Sequence, residues 1–145
     1  MFKDLLKKLH GSLHLSVIYR DGSVVDEFVG DNLVVTSGYT AAAEALAGVQ
    51  GAAITQVAVG TSSAEPAETD TVITNAVNVD IQNVEYPSAG MVRFNFTIDY
   101  DTAVGMTIRE FGLLTTDGRL FSRKVREAIE KTEAMSIVGA WDITI

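Results

Sequence analysis

Alternating apolar and polar positions dominate this chain and predict β-strands over most of its length. The clearest run places five apolar residues on one face: Val92, Phe94, Phe96, Ile98 and Tyr100. The intervening residues are polar, which is the period of two expected of a strand with one buried side. A second alternating run, residues 135–145 around Trp141, continues to the last residue of the sequence. Strands are therefore the main elements we expect.

Two Asp-Gly pairs predict tight β-hairpins. Asp21 and Gly22 lie inside an alternating segment at 12–30, and Asp117 and Gly118 separate two further apolar runs. Asp-Gly is a dipeptide that two-residue type I′ turns prefer. Each pair is expected to join two antiparallel strands.

Between the hairpins the pattern changes from strand to helix and back. The Ala-rich segment 39–47, capped by Ser37 and followed by Gly48, predicts the one helix of the body. Residues 61–71 are rich in Ser, Thr, Ala and Glu around a proline, which indicates a surface loop. The alternation in 72–86 shifts part-way, which predicts one strand bent by a bulge or two short strands.

The N-terminal eleven residues predict an amphipathic helix or arm. Its apolar stripe, with members at i, i+3, i+4 and i+7, is Phe2, Leu5, Leu6 and Leu9. Lys3, Lys7 and Lys8 occupy the other side, and Gly11 ends the segment. Because so short a helix is marginal in water, it needs a surface, either its own domain or a neighbour in an assembly.

These elements predict a mainly β fold: an antiparallel β-sandwich of about eight strands with one body helix. The 145 residues suit one domain, which we place at 12–145, preceded by the helix or arm at 1–11. The chain has no cysteine, so disulfides and thiolate metal sites are excluded.

Charge excludes some partners. The 11 basic and 19 acidic side chains give a net charge of −8, the wrong sign for binding nucleic acid or an anionic membrane surface. No apolar stretch reaches the length of a membrane span, and lysines interrupt any signal-peptide pattern. A mean hydropathy of +0.20 suggests that some apolar surface meets another subunit.

Charge is also unevenly distributed along the chain. Residues 21–92 contain ten acidic side chains and no Lys or Arg. A basic cluster follows near the second hairpin, formed by Arg119, Arg123, Lys124 and Arg126. Two interpretations remain open: ordinary solvation with pairing inside the chain, or complementary patches that meet between copies and fix their register.

Candidate metal and catalytic motifs are weak. His10 and His14 are four residues apart, but Gly11 and strand periodicity separate them, so no helix presents them together. Asp99 and Asp101 form a D-x-D pattern without the other oxygen ligands of a calcium loop. Nucleotide-binding and nucleophile-elbow motifs are missing from the sequence. We therefore predict no catalytic residue, metal or cofactor.

Glu110 is the acidic residue that stands out, because it lies among core aromatics and directly after Arg109. The sequence predicts a structural ion pair of Glu110 with Arg109, and Arg119 and Arg123 on the paired strand are further partners. Basic neighbours favour the charged carboxylate and therefore disfavour a general acid, which requires a raised pKa.

An ordered set of segments resembles small structural proteins of tailed bacteriophages and prophages associated with tail fibres, collars or baseplates. The segments are GDNLVVTSG at 30–38, an Ala-rich helix, ITQVAVGT at 54–61, AEPAETDT at 64–71, TIREFGLL at 107–114, a Thr-Asp-Gly turn, RLFSRKV at 119–125 and IEKT at 129–132. The resemblance covers residues 30–145 and ends in the Trp-containing strand.

This resemblance implies a non-enzymatic virion protein, made in the host bacterial cytoplasm, that contacts other copies of itself and other phage virion proteins. A trimer is the expected oligomer, and the interaction residues are those of the apolar stripe and the basic cluster. A capsid decoration (cement) protein is the first alternative. A carbohydrate-binding adhesion module using Tyr39, Tyr86 and Tyr100 is the second. A cell-wall hydrolase using Glu110 or Asp99 is a weaker interpretation.

Overall fold

The computed structural model of the protein describes residues 9–145. The described elements, in chain order, are β1 (His10–Tyr19), β2 (Val24–Val34), α1 (Thr36–Leu46), β3 (Ile54–Gly60), β4 (Val77–Asp80), β5 (Asn83–Glu85), β6 (Met91–Ile98), β7 (Thr107–Thr115), β8 (Leu120–Glu130) and β9 (Met135–Thr144). The fold is mainly β with one helix, as predicted.

The nine strands form one antiparallel sheet in the order β4-β3-β7-β8-β2-β1-β9-β6-β5, curled into a half-barrel. Two residues between β4 and β5 link strands near the two ends of this order. Ile81 N–H donates to Thr55 O at 2.9 Å, and Gln82 N–H donates to Asn95 O at 2.8 Å. Consecutive amides therefore bond to β3 and to β6, the second strand from each end of the sheet, which holds the curl.

The inner face of the curl is an apolar core built by strand register. Trp141 of β9 lies between Leu13 of β1 and Phe94 of β6, and all three side chains are buried. The next inward position of β9 is Gly139, and the Phe96 ring occupies the space that a β-carbon there would take. Alternating large and small residues across β9 let neighbouring side chains interdigitate.

Helix α1 packs against β8 through two small residues, Gly38 and Ala41, which are its only fully buried positions. A β-carbon at Gly38 would overlap the Phe121 carbonyl oxygen, so glycine permits this close approach.

The predicted Ser37 cap is wrong: the N-cap is Val35, without a side-chain cap. Ser37 Oγ donates instead to Leu120 O, because β8 supplies an acceptor beside the first turn.

Several local predictions are confirmed. Both Asp-Gly turns join paired strands, β1 with β2 and β7 with β8. The segment 72–86 contains two short strands, β4 and β5. One prediction is corrected: the alternating strand is shorter than expected, because β6 ends at Ile98 and Tyr100 lies beyond it. The sandwich stays a prediction, and the amphipathic helix falls mainly on residues 1–8, outside the described residues.

Candidate functional site

A buried carboxylate anchors the longest loop of the described chain. Glu110 of β7 is 0% exposed, and its Oε2 accepts hydrogen bonds from the backbone N–H of Ser62 at 2.8 Å and of Thr74 at 3.0 Å. These two amides stand near the two ends of residues 61–76, which contain no helix or strand. Glu110 therefore ties both ends of this loop to the sheet. We call residues 61–76 the clamped loop.

Arg123 of β8 occupies the other oxygen of Glu110 and reaches the middle of the clamped loop. Its Nε donates to Glu110 Oε1 at 2.9 Å, and its NH1 donates to Asp70 Oδ2 at 3.0 Å. Arg123 is only 3% exposed. Asp70 Oδ2 also accepts from Ala67 N–H at 2.9 Å. Charge-assisted bonds among buried groups are strong and directional, so this network fixes the path of the loop.

The Glu110 network requires a residue without a side chain at Gly60. Gly60 ends β3 and pairs with Glu110 across the β3 and β7 ladder. A β-carbon on Gly60 would lie 2.7 Å from Glu110 Oε2 and 2.6 Å from Thr74 O. The carboxylate reaches the two loop amides because this position carries no side chain.

The predicted ion pair of Glu110 with Arg109 is wrong. Glu110 lies on the face of β7 that the clamped loop covers, opposite the core side chain of Phe111. The register of β7 and β8 shifts between Ile108 and Glu110, and Arg109 is partly exposed. Arg109 NH1 donates to Thr61 O at 3.3 Å instead. Of the two alternative partners named from the sequence, Arg123 makes the bond and Arg119 bonds elsewhere.

Arg119 joins helix α1 to the second hairpin. Its NH2 and NH1 donate to the two carboxylate oxygens of Glu44 at 2.8 and 3.2 Å, and its Nε donates to Asp117 at 3.0 Å. The bonds to Glu44 and Asp117 raise the pKa of Arg119. The hydrogen bond from Arg119, helped by Thr115, holds the pKa of Asp117 below its ordinary value.

The remaining members of the basic cluster lie against β2. Arg126 donates to Asp26 Oδ2 at 3.0 Å, and its guanidinium lies 5.1 Å from the Phe28 ring centroid. Lys124 Nζ lies 5.7 Å from the same ring. Three arginines of the cluster thus pair with carboxylates, and each has a partner in the acidic segment 21–92. Pairing inside the chain is therefore the interpretation that these contacts support for the arginines.

A further buried cation, missed in the sequence analysis, holds the loop after β6. Lys131 is 1% exposed, and its Nζ donates to Tyr100 O at 3.1 Å and Thr132 O at 3.0 Å. Burial lowers the pKa of Lys131, although Asp101 and Asp99 oppose this effect. The contacts of Asp70 and the burial of Lys131 were missed because no sequence pattern marks a loop or strand-end residue whose polar partners come from distant parts of the chain.

An apolar groove of about 640 Å³ lies between helix α1 and the ends of β6 and β9. Its floor contains Phe94, Phe121 and Ile143, and its rim includes exposed Leu46 and Tyr86. The complete lining is Leu9, Tyr39, Ala42, Ala43, Ala45, Leu46, Ala52, Ala53, Ile54, Tyr86, Val92, Phe94, Phe121, Ile143 and Ile145. We call this the apolar groove. It places Leu9, a member of the predicted stripe, against α1.

The predicted metal motifs do not form a ligand cluster in the described part of the chain. Within residues 9–145 no three His, Asp or Glu side chains are arranged to hold a metal ion. His14 Nε2 lies 3.4 Å from Ser12 Oγ, so its ring contacts a hydroxyl group. Asp99 and Asp101 lie near Lys131 and favour its charged form.

The three tyrosines proposed for sugar binding separate into two places. Tyr39 and Tyr86 both line the apolar groove. Tyr100 lies away from it, with the Arg20 guanidinium 4.3 Å from its ring centroid. The structure therefore brings two of the three aromatic rings to one concave surface.

Comparison with known proteins identifies no family. No family model, no curated protein and no solved structure matches this chain. In the part of the chain that the structure describes, no helix is both long and apolar enough to cross a membrane.

Proposed function

We propose that this chain is a non-enzymatic structural protein of a tailed-bacteriophage particle, at the tail, collar or baseplate, and that it acts through contacts with other copies and with neighbouring virion proteins. The clamped loop carries the proposal. The most buried charges of the second hairpin, Glu110 and Arg123, hold this loop in place. A β-sandwich packing of the two halves of the curled sheet belongs to the same proposal.

The clamped loop has the physical properties of a docking element. Loops longer than about 12 to 15 residues without secondary structure are uncommon in compact domains and are usually functional or disordered. This loop is fixed at Ser62, Asp70 and Thr74, whereas Ser63, Ala64 and Glu65 are exposed. Fixing a loop before binding reduces the entropy lost on association. A protein with a repeated position in a particle benefits from such a rigid contact.

The same contacts favour a scaffold over a reaction centre. Glu110 is the most buried carboxylate of the hairpin, and its two oxygens bond to a guanidinium and two backbone amides. A general acid needs a free proton and access to a substrate. The geometry of Glu110 instead supports a role in holding the loop. The order of sequence segments described above supports the bacteriophage context.

The test replaces the exposed tip of the clamped loop without touching its anchors. The loop variant is Ala64→Arg with Glu65→Arg, and the matched control is Ala128→Arg with Glu127→Arg at exposed positions of β8. Each full-length variant is expressed in the bacterium that carries the gene, while that bacterium produces phage particles. Particles are purified on a density gradient, and oligomer mass is measured by light scattering.

We expect the loop variant to be at least about tenfold depleted from particles or to lose its oligomer mass, because Ala64→Arg and Glu65→Arg together shift the charge of a rigid contact by three positive units. The control should behave as the parent. A loop variant that enters particles and assembles like the parent contradicts the proposal.

Two alternatives have their own readouts. A capsid decoration protein would be found on DNA-filled heads, while the main proposal places the chain on purified tails. A carbohydrate-binding module is favoured by the presence of Tyr39 and Tyr86 in one groove. Binding on a glycan array that disappears with Tyr86→Ala supports that alternative.

A further inference from the structure

We propose that the N-terminal segment, residues 2–8, packs its apolar stripe along helix α1 and covers the apolar groove of the same chain. The segment lies outside the described residues, so the argument rests on the groove, on Leu9 where the described chain begins, and on the sequence of the segment. This inference is independent of the bacteriophage proposal.

Leu9 fixes the starting point of the segment. Its side chain lines the apolar groove, and its backbone N–H donates to the Tyr39 hydroxyl at 3.0 Å. Leu9 is also the last member of the predicted stripe of Phe2, Leu5, Leu6 and Leu9. One member of the stripe is therefore already in place beside the N-terminal part of α1.

Helix α1 presents a stripe with the same spacing. Tyr39, Ala42, Ala43 and Leu46 line the groove at i, i+3, i+4 and i+7. With Leu9 beside Tyr39, a helical segment antiparallel to α1 would place Leu6 opposite Ala42, Leu5 opposite Ala43 and Phe2 opposite Leu46. The small alanines in the centre leave room for the two leucines. Leu46 is 89% exposed in the described chain, which leaves an apolar residue for Phe2 to cover.

The lengths agree as well. Seven helical residues rise about 10 Å, which is the distance along α1 from Tyr39 to Leu46 and also along a helical segment from Leu9 to Phe2. A short helix is marginal alone in water, and the groove supplies the apolar surface that it requires.

Charge on the adjoining surface is complementary to the segment. A polar pocket next to the groove shares Leu9 and Tyr39 with it and contains the carboxylates of Asp31 and Glu68. The segment carries Lys3, Lys7 and Lys8 on the side away from its apolar stripe. Opposite charges at the rim of a contact favour the correct orientation.

The same chain is favoured over a second copy as the source of the segment. Residues 2–8 continue directly from Leu9, so their local concentration at the groove is in the millimolar range expected of short tethers. A second copy at micromolar concentration competes poorly with a tethered segment of identical sequence.

A disulfide test uses the natural lack of cysteine. The full-length variant Leu5→Cys with Ala43→Cys joins opposed positions, and its matched control is Asp4→Cys with Ala43→Cys. Asp4 neighbours Leu5 in sequence but lies on the opposite side of the predicted helix. Both chains are oxidised at about 5 μM, and the products are separated without reductant and weighed by mass spectrometry.

We expect an intrachain disulfide to form at least about fivefold faster in the Leu5→Cys variant than in the Asp4→Cys control. Equal rates overturn the proposal, because they indicate a segment without a preferred face. A predominantly interchain disulfide also overturns it, because the occupant is then a second copy.

A second measurement asks whether the segment shields the groove. The full-length variant Leu5→Ser with Leu6→Ser is compared with Lys7→Ser with Lys8→Ser by fluorescence of a dye that binds apolar surface. The leucine variant should bind the dye several-fold more strongly than the lysine variant. Equal dye binding by the two variants overturns the proposal.

Discussion

Glu110 and Arg123 bond across the β7 and β8 pair, with Nε donating to Oε1 at 2.9 Å and both side chains withdrawn from solvent. Arg123 continues to Asp70, and Glu110 continues to the backbone of Ser62 and Thr74. The ion pair therefore connects the sheet to the clamped loop. Its removal tests how much of the loop's order depends on these two side chains.

Replacing Glu110 with glutamine keeps the shape of the side chain and removes its charge. Arg123 then retains only Asp70 as a charged partner, and breaking a buried pair on one side costs about 3 kcal/mol. We expect the free energy of unfolding, measured in urea, to fall by about that amount. Glu127→Gln, at an exposed position of β8, should change it by no more than about 0.5 kcal/mol.

Coupling between Glu110 and Arg123 is tested by a double-mutant cycle with Arg123→Met. We expect the combined variant to lose less stability than the two single losses added together, because each single change leaves one buried group without its partner. Additive losses would show that the two side chains stabilise the protein independently.

Gly60→Ala places a methyl group beside Thr74 O and Glu110 Oε2. Overpacking of this kind costs about 2 kcal/mol, and it displaces the carboxylate from the loop amides. Hydrogen exchange should show faster exchange at Ser62 and Thr74, relative to the core strands. Gly105→Ala is the comparison, since its φ of +84° strains a side chain while its surroundings are open. Unchanged protection of both loop amides in Gly60→Ala contradicts the clamp.

Gly38→Ala sets two effects against each other. Alanine favours a helix over glycine by about 1 kcal/mol, but its β-carbon would overlap Phe121 O. Because the obstacle is backbone and not a flexible side chain, we expect the overlap to prevail and the thermal midpoint to fall. Thr40→Ala, at an exposed position of α1, should leave the midpoint equal or higher. A raised midpoint in Gly38→Ala would show that α1 shifts freely.

Asp117 gives a prediction for acid stability. Its pKa is lowered in the folded protein, chiefly by the bond from Arg119. A lowered folded pKa contributes stability above the unfolded value of 3.8, and this contribution is lost as pH falls through the folded pKa. The comparison is between pH 7 and a pH below the folded pKa of Asp117. Over this change, the Asp117→Asn variant should lose less stability than the parent. Equal losses in thermal unfolding at the two pH values contradict the assignment.

The sequence by itself determined the local elements of the fold. Period-two alternation located β6 and β9, and the two Asp-Gly pairs located both hairpins, because backbone pleating and turn geometry act over a few residues. The Ala-rich helix was found for the same reason, although its start was misplaced. Ser37 has an acceptor on β8, and no helix-start pattern contains that distant strand.

Tertiary structure decided which charged side chains meet. Sequence showed that Arg109 adjoins Glu110, but strand register brings Arg123 to the Glu110 carboxylate, and the path of the clamped loop brings Asp70 to Arg123. It also decided that Leu9 lies beside Tyr39 and that an apolar groove lies along α1. Such contacts depend on the relative placement of distant segments, which is fixed by the packing of the whole core and not by any local pattern.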